Sequence, residues 1–122
     1  MAKEYDIAYV QGDTYGLGVT FEVGPPPSGP YTPVDLTHAY IALAVKSSAT
    51  DVTPKILIST TTGDIIIDSD PTTGVFTIVI PSNATLNWTG LPNAIYDCVV
   101  EIGAYRQTVL YGSFKLFPTL GE

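Results

Sequence analysis

Leu91–Phe117, LPNAIYDCVVEIGAYRQTVLYGSFKLF, is the stretch on which the fold turns. Two runs rich in β-branched and aromatic residues meet at Gly103 and Ala104, the pattern of a long β-hairpin. In the first run Tyr96, Cys98, Val100 and Ile102 fall on one face, and Asp97 and Glu101 on the other, as in a half-buried strand. In the second run Leu110, Gly112, Phe114 and Leu116 share one face. Val109, Tyr111, Ser113 and Lys115 share the other, which is therefore semi-apolar.

Alternation continues on the N-terminal side. Tyr5–Val10 places Tyr5, Ile7 and Tyr9 together, and after a turn at Gln11-Gly12-Asp13, Tyr15–Val23 aligns Leu17, Val19, Phe21 and Val23. Gly16 and Gly18 thin the opposite face of that strand and are expected to mark a close neighbour or a bulge. Gly24–Pro33, GPPPSGPYTP, is expected to be a loop, because its prolines lack amide donors and fix φ. Tyr40–Lys46 points Ile41, Leu43 and Val45 one way; Lys55–Ser59, Ile65–Asp68 and Gly74–Ile80 supply further strands. Pro81–Trp88 breaks the pattern: Ser82 can cap about one helical turn, with Leu86 and Trp88 plugging the end of a sandwich. The expected fold is all-β: a single Ig-like or Greek-key antiparallel β-sandwich of about seven to nine short strands, forming one domain over residues 1–122.

Composition excludes several roles. With 45% hydrophobic and 14% charged residues the chain is too apolar to be disordered. A formal net charge of -7 with 5 Lys+Arg offers nucleic acid no basic stripe. Lone Cys98 cannot form an internal disulfide and reads as a small core residue. The opening MAKEYDIAYV lacks the apolar core of a secretory signal, and no run approaches the roughly 20 apolar residues of a membrane span, so a soluble protein made in the cytoplasm is expected.

Candidate chemistry is sparse. Asp64, Asp68 and Asp70 could suggest Ca²⁺, but Ile65–Ile67 interrupts them, so they read as a solvated turn. His38 near Asp35 lacks any accompanying nucleophile motif. Asn83-Ala84-Thr85 and Asn87-Trp88-Thr89 match the glycosylation pattern incidentally. Tyr96-Asp97-Cys98 resembles the tyrosine corner of immunoglobulin-type domains, without the second cysteine or the strand tryptophan. No catalytic, cofactor-binding or metal-binding residue is assigned, and the chain is expected not to be an enzyme. The remaining signal is aromatic: Tyr5, Tyr9, Tyr31, Tyr40, Tyr105 and Tyr111, together with Tyr15, are expected to look partly outward, and the first six form the candidate interface.

Gly12-Asp13, Asp35-Leu36-Thr37, Thr73-Gly74, Ala84-Thr85, Leu91-Pro92, Tyr96-Asp97 and Gly112 stand in an order that resembles small tail or baseplate-associated proteins of bacteriophages, including the N-terminal domain type of baseplate upper proteins. The likeness runs from Tyr5 to Pro118. It departs from that pattern in the long, proline-rich Gly24–Pro33 and in His38, which stands where glycine is common. The resemblance implies a virion structural protein, an adaptor or decoration subunit of tail, collar or baseplate, located in the virion. Its implied partners are other virion proteins and copies of itself, with no nucleic acid and no membrane. A capsid decoration protein is the alternative within that class, and a carbohydrate-binding β-sandwich module the alternative outside it. Because Gly24–Pro33 is expected to supply no core side chains, deleting Pro25–Pro30 should leave a cooperative melting transition, checked by thermal denaturation.

Overall fold

The computed structural model describes residues 3–23, 32–47, 54–85 and 94–117. In chain order the strands are β1 (Lys3–Glu4), β2 (Ile7–Val10), β3 (Tyr15–Thr20), β4 (Glu22–Val23), β5 (Thr32–Pro33), β6 (Tyr40–Lys46), β7 (Ile56–Ser59), β8 (Ile65–Ile67), β9 (Val75–Ile80), β10 (Ala94–Ile102) and β11 (Tyr105–Phe117). Short 3₁₀ turns occupy Pro71–Thr73 and Ser82–Ala84. The second is the expected turn, though Pro81 rather than Ser82 stands at its N-cap, and Leu86 and Trp88 lie outside the described residues.

Two sheets face each other across one core. The larger, six-stranded sheet runs β1-β11-β10-β6-β7, with β2 also on the outer edge of β11; the smaller runs β3-β9-β8. Period-two alternation decides which side chains lie between them. Ile41, Leu43 and Val45 from β6, and Tyr96, Cys98 and Val100 from β10, are buried with Phe76, Ile78 and Ile80 from β9. Each fully buried aliphatic or aromatic side chain contributes about 1.5–3 kcal/mol relative to exposure.

The all-β sandwich is as expected, but four details differ. The described residues hold more strands than the seven to nine expected, because Phe21 splits one long strand and Glu22–Val23 (β4) pairs with Thr32–Pro33 (β5), the rest of the expected loop, residues 24–31, lying outside the described residues. The sandwich is not wholly antiparallel: β1 and β2 both pair with β11 in parallel. A register shift lies between Cys98 and Val99. Cys98 faces Leu110 while Val99 faces Thr108, so Val109 is skipped. That bulge turns Val109 into the core instead of onto the outer face, beside Leu110. Finally, Gly16 and Gly18 mark neither neighbour nor bulge; the space a side chain would fill is open, and both stay in register with β9.

Close approach does constrain two other glycines. Gly74, at φ 73°, lies against the hydrogen-bonded backbone of Phe21 and Val34, and an added Cβ would come within 2.5 Å of the Phe21 carbonyl oxygen and 3.2 Å of the Val34 amide. Gly112 lies under the kink between β1 and β2, where an added Cβ would collide with the Tyr5 carbonyl. Through that gap the Tyr96 hydroxyl donates to the Tyr5 carbonyl. Tyr96 therefore anchors the distant N-terminal segment; a tyrosine corner would bond back to backbone a few residues upstream.

Gly74→Ala should lower unfolding free energy by about 3 kcal/mol, combining left-handed strain with backbone overlap. Gly18→Ala, with open space above it, should raise stability by about 0.5 kcal/mol. Urea denaturation of the two variants checks both signs.

Candidate interaction face

The strands that enclose the core also present an outer face. On β10 the outward positions are Ile95, Asp97, Val99 and Glu101, since Ala94, Tyr96, Cys98 and Val100 point in. Registers then place the neighbours. Ser113, Ile95 and Lys46 form one row; Tyr111, Asp97, Ala44 and Leu57 form the next; Thr108, Val99, Ala42 and Ser59 form a third; Arg106, Glu101 and Tyr40 form a fourth. Leu57 is 57% exposed, Tyr111 44% and Ile95 40%. Ala42 and Ala44 keep the β6 part of the face low, so these larger side chains stand around a shallow apolar floor.

Charges on this face are mixed. Arg106 Nε donates to Glu101 Oε2 at 3.2 Å, an exposed pair of small energetic weight. Lys115 holds its ammonium 5.1 Å from the centre of the Phe117 ring.

The candidate tyrosines do not form one patch. Tyr40 and Tyr111 share the outer face of the large sheet but lie in different rows. Tyr105 stands at the hairpin tip, its hydroxyl donating to Gln107 Oε1. Tyr5 is exposed at the β1–β2 kink. Tyr9 is half-buried on the core side, its ring stacked on Tyr15 at 4.8 Å and edge-on to Phe114 at 5.7 Å. Tyr31 lies outside the described residues. Ile95 and Leu57 were absent from the sequence-based candidates. Each is an apolar residue in the outward phase of an alternating strand, which is the signal that identifies it.

The other candidates are occupied locally. Asp35 Oδ1 accepts from both the Thr37 amide at 2.9 Å and the Thr37 hydroxyl at 2.6 Å, and these bonds hold its pKa below the usual value. That turn puts His38 at φ 64°, the left-handed region that favours glycine. Asp64 accepts from the Thr62 hydroxyl, Asp68 from the Asp70 amide, and Asp70 caps the first 3₁₀ turn through Thr72. Among the described residues no group of three or more His, Cys, Asp or Glu could hold a metal ion. Nor is any described helix long and apolar enough to cross a membrane.

No protein-family model matches this chain, and no curated protein matches it in sequence.

Burial also sets the pH response. It pushes the Cys98 thiol from 9.0 up to about 12, with Asp97 adding to the effect. Tyr9 rises from 10.0 to about 12, again mainly by burial, opposed by the Thr85 hydroxyl beside it. Tyr15 rises to about 12 through burial and its Tyr5 neighbour, and Tyr96 moves in the same direction. These groups keep their protons in the folded state at pH values where the unfolded chain loses them. Their contribution is complete below the unfolded values and is lost as pH rises toward the folded ones. The melting temperature should therefore fall as pH rises from about 9 to about 12, and fall less steeply in Tyr9→Phe, as measured by thermal denaturation across that range.

Proposed function

We propose that this chain is a non-enzymatic structural subunit of a bacteriophage particle, an adaptor or decoration protein of the tail, collar or baseplate that acts through protein–protein contacts in the virion. The observation that carries this reading is the outer face of the large sheet, where Leu57, Ile95 and Tyr111 stand exposed around Ala42, Ala44 and Val99. Exposed apolar side chains interspersed with charged ones, Asp97 among them, are the composition of a protein contact surface. The order of turn and strand motifs that resembles phage tail and baseplate-associated proteins supports the same assignment. A carbohydrate-binding module would need aromatic rings aligned along one face. Here Tyr40 and Tyr111 lie in separate rows, and Tyr9 stacks inward on Tyr15.

In a lysate of cells producing the protein with its particles, gradient sedimentation should recover it in the particle fraction. Ile95→Glu should release it to the soluble fraction while preserving a cooperative melt. Recovery of the wild-type protein wholly among free proteins, or saturable binding in a soluble-glycan panel, would overturn the assignment.

A further inference from the structure

We propose that the outer face of the six-stranded sheet packs against the same face of a second copy of this chain. This rests on the reading of that face as a contact surface and names its occupant.

Charge balance on this face suits a second copy. The outward strand positions of the large sheet carry Glu4, Asp97 and Glu101 against Lys46, Arg106 and Lys115, three of each sign and a net charge of zero. Of the chain's 12 Asp+Glu and 5 Lys+Arg, nine acidic and two basic residues remain elsewhere, so the rest of the molecule carries the whole formal charge of -7. At this face the local charges cancel, so a second copy meets no net like charge there; the outward positions of the smaller sheet carry no charge at all. Opposite signs interleaved among Ile95, Val99, Ala42, Ala44 and Leu57, with Asp97 in their midst, let a carboxylate of one copy lie against a cation of the other. That self-complementarity is what an isologous pair requires.

Size agrees. Five strand positions across the sheet, at about 4.8 Å each, give a width of about 24 Å, and β10 gives a length of about 30 Å. The face thus offers roughly 700 Å² per copy, close to the ~800 Å² per partner of a standard stable interface. The smaller sheet offers three strands, with open space over Gly16 and Gly18.

Sedimentation equilibrium of the full chain through the micromolar range should show a reversible monomer–dimer equilibrium. Ile95→Glu and Leu57→Glu should each weaken it at least about tenfold. Ile66→Glu, equally exposed on the opposite sheet, should leave it unchanged, and all three variants should melt cooperatively. Under mild oxidation Ala44→Cys should cross-link into a covalent dimer and Thr77→Cys should not. A monomer at every concentration overturns the proposal, as does a dimer that Ile66→Glu weakens and Ile95→Glu does not. A monomer that still sediments with particles refutes self-pairing alone, whereas a dimer weakened by Ile95→Glu but never found with particles supports self-pairing and refutes the particle assignment.

Discussion

Mutual burial of the inward faces of β6, β10 and β9 is the constraint from which the rest of the molecule follows. Ile41, Leu43 and Val45, with Tyr96, Cys98 and Val100, cannot leave water unless a second apolar layer covers them, and Phe76, Ile78 and Ile80 form that layer. Because side chains alternate strictly along a strand, fixing these residues inward also fixes Ile95, Asp97, Ala42, Ala44 and Leu57 outward. The candidate contact face is therefore a consequence of the core. No slip by one residue could hide it without exposing Tyr96 and Val100.

Around that core, short motifs far apart in sequence meet as fasteners. The Gly12 amide donates to the Thr85 hydroxyl oxygen at 2.9 Å, and the Gln11 side chain donates to the Thr85 carbonyl, pinning the β2–β3 turn to the end of the second 3₁₀ turn. The Leu36 amide donates to the Pro71 carbonyl, the Val34 amide to the Phe21 carbonyl and the Phe21 amide to the Gly74 carbonyl, with Gly74 leaving the needed space. Tyr96 and Gly112 are register partners, and together they admit the Tyr5 carbonyl. Residues that read as turn punctuation in the sequence thus serve to close the sandwich at its ends and edge. They hold the outer face in place without being part of it.

Much of the face was legible in the sequence, but only in part. Tyr40 and Tyr111 were identifiable because an exposed aromatic is conspicuous, whereas Ile95 and Leu57 look like any strand aliphatic until the inward phase is known. Tyr9 was misleading in the opposite sense: its phenol suggests an outward residue, yet its ring is needed against Tyr15 and Phe114 to seal the edge where β2 joins the large sheet. Aromatic residues with a polar tip suit both roles, so composition alone does not separate them.

The sequence by itself determined most of the strands and the inward faces of β6, β9 and β10, because both depend on period-two patterning and on local turn chemistry at Gly12, Gly63 and Gly74. Tertiary structure decided what depends on partners distant in the chain. The parallel docking of β1 and β2 on β11, the bulge that turns Val109 into the core, and the gathering of Leu57, Ile95 and Tyr111 on one face all arise from strand register. Register is set by packing between sheets, and no local pattern in a single strand encodes which residue of another strand will stand beside it.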